Sequence, residues 1–114
     1  MNKEAFYALI PRNELRRVVD GAPLPAFFYF KKIVEQKHRE LSGCLPKGFS
    51  IHYAFKANAN RDILAMMKGL GCGADVASGG ELCKALEAGF SPEAVEFTGP
   101  GKTPEELSCA IDAG

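Results

Sequence analysis

Lys56 is the residue of this chain best placed to react. It follows the apolar run Ile51-His52-Tyr53-Ala54-Phe55, which has the length and make-up of a buried strand, so its amine is delivered to that strand's carboxyl end. α/β folds bind their ligands at that edge. Partial desolvation there favours the free amine, a nucleophile able to form a Schiff base with a carbonyl cofactor. Two more polar residues fall where a second strand would end: Asp75, inside the apolar stretch Ala74 to Ala77, and Ser78, directly after it. A carboxylate within an apolar strand costs free energy unless a cation or a donor pairs with it, and Lys56 or a ligand is the natural partner. Ser78 also has a plainer role, because Ser78 and Glu81 are spaced as a helix capping box. Lys102 is a further candidate for the same cleft.

Two glycine-rich stretches imitate nucleotide-binding loops and fail on detail. Gly99-Pro100-Gly101-Lys102-Thr103 lies between a strand and a helix, but a phosphate loop needs a glycine where this chain has Glu96. It reads instead as a tight turn feeding a capping box at Thr103. Gly69-Leu70-Gly71-Cys72-Gly73 follows a helix and precedes a strand, the reverse of the order that a dinucleotide fingerprint requires. Cys44, Cys72, Cys83 and Cys109 form no C-x-x-C pair and only His38 and His52 could join them, so no metal site is expected.

The elements that must hold these residues recur in a regular order. The spacing predicts a strand from Ile51 to Phe55, a helix N-cap at Asn60, apolar residues Ile63, Leu64, Met67 and Leu70 at helical spacing, and a stop at Gly71. The same sequence of signals runs from Ala74 through the Ser78 box to Gly89. It runs a third time from Ala94 through Thr103-Pro104-Glu105-Glu106 to Gly114. Strands about 20 residues apart with one helix between them indicate βαβ crossovers and a parallel sheet. The expected fold class is therefore α/β: the N-terminal part of a (β/α)8 barrel, incomplete at about three units where a whole barrel takes ~250 residues. Upstream, Ala26-Phe27-Phe28-Tyr29-Phe30 is expected to be a short strand, and Lys31 to Leu45 an amphipathic helix ended by Pro46-Lys47-Gly48. Residues 1–25 read as a lead-in segment broken at Gly21-Ala22-Pro23-Leu24-Pro25, and residues 26–114 as the partial barrel domain.

Composition excludes several classes of function. The chain has 114 residues, 46% hydrophobic and 25% charged, which suits an ordered globular domain. Fourteen basic groups balance fourteen acidic ones, so no net field points to nucleic acid or to an anionic membrane, and no apolar run is long enough to span a bilayer. The sparse cysteines and the lack of a signal peptide suggest reduced thiols in the cytoplasm.

Three segments together resemble a known family: Tyr-Ala-Phe-Lys-Ala-Asn at 53–58, Gly-Ala-Asp-Val-Ala-Ser-Gly-Gly-Glu-Leu at 73–82, and Phe-Thr-Gly-Pro-Gly-Lys-Thr at 97–103. They resemble the alanine-racemase-like barrel of the pyridoxal-phosphate-dependent decarboxylases that act on diaminopimelate, ornithine and arginine. The resemblance implies pyridoxal 5'-phosphate as cofactor and an internal aldimine on Lys56, with Ala54, Asp75 and Ser78 beside it. It implies decarboxylation of a small-molecule amino acid, with meso-diaminopimelate to lysine and CO2 the first choice. An ornithine or arginine type, or a decarboxylase from a biosynthetic cluster, comes next. It also implies a homodimer in the full-length enzyme. A racemase is disfavoured, since the residues after the lysine are Asn58-Ala59-Asn60-Arg61-Asp62 rather than the racemase pattern. The family's phosphate loop, the acid that pairs with the pyridine nitrogen, the catalytic cysteine and the C-terminal β domain all fall beyond position 114. The 114 residues alone are therefore expected not to turn over substrate. A non-catalytic truncated barrel acting as an interaction domain is the rival expectation.

Overall fold

The computed structural model describes residues 3–114, and the described residues fall into two compact units that divide between Cys44 and Leu45. The first unit is helical: α1 (Lys3–Ala8), α2 (Arg12–Val19) and α3 (Lys31–Cys44). The two short helices were not legible in the sequence; α2 starts after Pro11 with no side-chain cap and so lacks the strongest of the usual start signals. The strand expected at Ala26–Phe30 does not form. Those residues belong to no sheet ladder, and the Phe30 carbonyl is committed instead to opening α3, where it accepts from the N–H groups of Ile33 at 2.9 Å and Val34 at 3.2 Å. Helix α3 ends at Cys44, one residue short of the expected Leu45. Its half-buried stretch runs from Ile33 to His38, leaving Leu41 exposed.

The second unit contains the repeats. Its order is β1 (His52–Ala54), a 3-10 turn at Phe55–Ala57, α4 (Arg61–Gly69), β2 (Gly73–Val76), α5 (Gly79–Glu87), a 3-10 turn at Pro92–Ala94, β3 (Val95–Phe97) and α6 (Pro104–Asp112). The strands form one parallel sheet in the order β1-β2-β3. β1 and β3 are shorter than the apolar runs that encode them and β2 starts one residue earlier than its run, although single ladder bonds extend beyond the strands: Gly73 N–H donates to the Ile51 carbonyl at 2.9 Å and Thr98 N–H to that of Val76 at 2.8 Å. Caps and stops lie where the sequence puts them. The side chains of Asn60, Ser78 and Thr103 each accept a first-turn backbone N–H, and α4 and α5 are followed by Gly71 and Gly89 with φ of +84° and +81°, which an L side chain would strain to adopt.

Strand alternation separates two faces. Phe55, Ala74 and Val76 are buried against Leu64 of α4, Leu82 and Ala85 of α5, and Phe90, with Tyr53, Val95 and Phe97 packed around them. The other face carries His52 and Ala54 from β1, Gly73 and Asp75 from β2 and Glu96 from β3, as a period of two requires. Phe55 is 1% exposed and meets Phe90 edge-on, with ring centroids 5.7 Å apart. Removing such a ring costs its transfer free energy and leaves a cavity, so Phe55→Ala is expected to destabilise the protein by about 3–5 kcal/mol in a denaturant titration. Gly73 has no space for a side chain: a Cβ there would lie 2.6 Å from His52 Nδ1 and 2.7 Å from the Ala94 carbonyl oxygen. Gly73→Ala should therefore cost about 1–3 kcal/mol in the same titration, and a neutral result would show that the sheet shifts freely at this point.

Candidate functional site

Lys56 lies in the 3-10 turn just past β1, one residue beyond the end of the expected strand register, and its side chain is exposed. Four local features fix it there. Phe55 turns into the core on one side of it. The Tyr53 hydroxyl donates to the Asn58 carbonyl at 3.1 Å, closing the turn from beneath. Asn58 Oδ1 accepts from the Asn60 N–H at 2.9 Å, and Asn60 Oδ1 accepts from the Asp62 N–H at 2.9 Å, so the chain passes from turn to helix with its donors satisfied. Lys56 itself makes no hydrogen bond or ion pair with the described residues. The desolvation expected at this position is not supplied by them either, because the lysine is open to solvent.

Asp75 is half-buried on β2, in register with Ala54, and so shares the polar face two residues upstream of Lys56. Its partner is not Lys56. The Thr98 hydroxyl donates to Asp75 Oδ1 at 2.6 Å, while Oδ2 has no hydrogen-bond partner among the described residues. Ser78 Oγ accepts from the Glu81 N–H at 3.2 Å, the first half of the expected box; the Glu81 carboxylate reaches one residue further back, to the Ala77 N–H at 2.8 Å. Lys102 turns away from this face. Its ammonium donates to the Gly99 carbonyl and lies 5.1 Å from the centroid of the Phe97 ring, which belongs to the helix-side core.

Three features of the site needed the register to be seen. Thr98 is one. The second is His52, whose Nδ1 is buried without a hydrogen-bond partner and lies 4.0 Å from Glu96 Oε1, above the gap left by Gly73. The third is Glu106, which completes the capping box of α6 by accepting from the Thr103 N–H at 2.9 Å and also accepts from the Gly79 N–H at 2.6 Å, at the start of α5. With Gly79 held by Glu106 and Glu81 by Ser78, the start of α5 keeps these donors for the protein's own oxygens. All four cysteines are free thiols; Cys72 alone is buried, and burial pushes its thiol pKa up.

This arrangement suits a carbonyl cofactor held by a covalent bond to a lysine: an unpaired, accessible amine, a small neighbour at Ala54, and a carboxylate with one oxygen unoccupied on the same rim. Comparison with known proteins agrees. Residues 31–114 match the family described as pyridoxal-dependent decarboxylase, pyridoxal binding domain, and the chain belongs to that family. Among curated relatives it is 37% identical over 110 residues to a diaminopimelate decarboxylase of Aquifex aeolicus, an alignment covering 96% of this chain and 25% of the relative. It is 36% identical over 105 residues to the L-glutamyl-[BtrI acyl-carrier protein] decarboxylase of Niallia circulans, covering 92% of this chain and 24% of the relative. Among solved structures, diaminopimelate decarboxylase from Helicobacter pylori, complexed with L-lysine, superposes with a TM-score of 0.75 at 31% identity over 90% of this chain and 25% of that one. The sheet is thus the N-terminal part of a barrel of this class, and the chain spans about a quarter of the length of the relatives it matches.

The Glu106 bonds make the site's support sensitive to pH. Acceptance from Gly79 N–H, and then from Thr103 N–H, holds the Glu106 carboxyl below its ordinary value of 4.5. A group whose pKa is lower when folded contributes stability above its unfolded pKa and loses it as pH falls through the folded one. Stability should therefore decline as the pH is lowered below about 4.5. Glu106→Gln should lower the melting temperature at neutral pH and flatten that decline; a variant with the parent's acid profile would show that Glu106 contributes nothing to it.

Proposed function

We propose that the protein carrying these residues is a pyridoxal 5'-phosphate-dependent amino-acid decarboxylase of the diaminopimelate type, converting meso-diaminopimelate to lysine and CO2. The observation that carries this reading is Lys56, an exposed and unpaired amine fixed at the sheet's carboxyl rim within the family's pyridoxal-binding domain. When bound, pyridoxal phosphate supplies an electron sink for breaking the bond to the substrate's carboxylate. The chain's own residues hold and orient. Lys56 Nζ would hold the cofactor through a covalent bond to its carbonyl carbon, and the freed amine can hold or give up a proton at this rim. Asp75 Oδ2 offers negative charge on the same rim, where it favours a protonated nitrogen. Ala54 leaves space on the polar face, and the Ser78 hydroxyl, which accepts from Glu81, keeps its own proton to donate.

In this reading residues 26–114 form the first part of the barrel and residues 1–25 lead into it. The whole enzyme works as a cytoplasmic homodimer on a small amino acid, with no nucleic-acid or membrane partner. No helix among the described residues is long and apolar enough to cross a membrane. A second reading, a decarboxylase acting on a carrier-bound or otherwise specialised amino acid, is favoured by the comparable identity to the Niallia circulans relative.

Borohydride reduction of the natural chain that contains these residues should leave a pyridoxyl group on the peptide holding Lys56, detectable by mass. Lys56→Ala should lose that label and lower turnover by several orders of magnitude while the fold persists. Retention of the label in the variant would remove Lys56 from the mechanism. CO2 release from meso-diaminopimelate, ornithine and arginine in parallel would separate the substrate readings.

A further inference from the structure

The polar face of the sheet brings two carboxylates onto one rung. Asp75 and Glu96 are register partners on adjacent strands, so their side chains leave the sheet side by side, where like charges repel. The structure pulls them apart along the strand direction. Asp75 is drawn toward the carboxyl edge by Thr98, two residues beyond Glu96 and therefore on the same face; the Thr98 backbone is fixed by the bond from its N–H to the Val76 carbonyl, at 2.8 Å. Glu96 points the opposite way, toward His52 on β1, across the space that Gly73 leaves open. Thr98 spends its one hydroxyl proton on Asp75 Oδ1, in a bond short enough at 2.6 Å to be charge-assisted, and leaves Oδ2 available at the rim.

We infer that Thr98 is a positioning residue: its hydroxyl aims Asp75 at the Lys56 rim, and the turn of Glu96 toward His52 keeps the neighbouring charge from redirecting it. This rests on the proposed cofactor site at Lys56. Without the hydroxyl, Asp75 is free to rotate and its charge no longer has a fixed place beside the cofactor.

The test uses the full natural chain loaded with pyridoxal phosphate, with the borohydride label on Lys56 confirmed first. Thr98→Val keeps the shape and removes the donor. It should lower kcat/KM about tenfold, the size expected for losing a hydrogen bond to a charged group, and move the pH midpoint of the bound cofactor's absorbance downward. Thr98→Ser should restore both readouts. Adding Glu96→Gln to Thr98→Val should recover part of the loss, because the repelling neighbour is then gone. Parental kcat/KM and an unmoved absorbance midpoint in Thr98→Val overturn the proposal, as does a Thr98→Ser variant as impaired as the valine. An unlabelled Lys56 in the parent chain instead removes the cofactor reading, and this inference with it.

Discussion

The burial of Phe55 is the constraint on which the rest of the site depends. A strand alternates its side chains, and Tyr53 and Phe55 both turn toward the helices, so the chain must leave the sheet as soon as the second ring is seated against Phe90. The 3-10 turn at Phe55–Ala57 is that exit. It follows that Lys56 cannot join the core: with Phe55 1% exposed on one side and the Tyr53 to Asn58 bond beneath, the lysine has only the solvent side to occupy. An aromatic residue beside a reactive amine is thus a matter of mechanics, since its transfer from water holds the turn on which the amine stands.

The two faces of the sheet obey different rules. The helix side is closed by small and branched residues, among them Ala74, Val76, Leu82 and Ala85, all of them buried. The opposite side holds His52, Asp75, Glu96 and Thr98 around the small residues Ala54 and Gly73, and there the side chains are arranged by charge more than by volume. A face of this kind suits a polar ligand, in keeping with the pyridoxal-binding family to which the chain belongs.

Legibility in the sequence tracked the distance over which each signal acts. The caps at Asn60, Ser78 and Thr103 and the glycine stops could be read directly, because donor and acceptor lie within a few residues of each other. Lys56 and Asp75 could be read because each is a polar residue set in or against an apolar run. Thr98, the His52 and Glu96 pair and the reach of Glu106 to Gly79 could not, since each joins different strands or helices and needs a register that periodicity leaves open. The aromatic run at 26–30 failed in the opposite way: its composition favours a strand, but a strand exists only where another backbone pairs with it, and here the run leads into α3.

The bond from Gly79 to Glu106 also bears on how the chain acquires its structure. Helix α5 takes one of its capping oxygens from a residue 27 positions later in the sequence, so on a ribosome the helix emerges well before the group that secures its first turn. Until α6 has been made and docked, the start of α5 relies on the local bonds of Ser78 and Glu81. The second and third repeats are consequently fastened together across their helices as well as through the sheet.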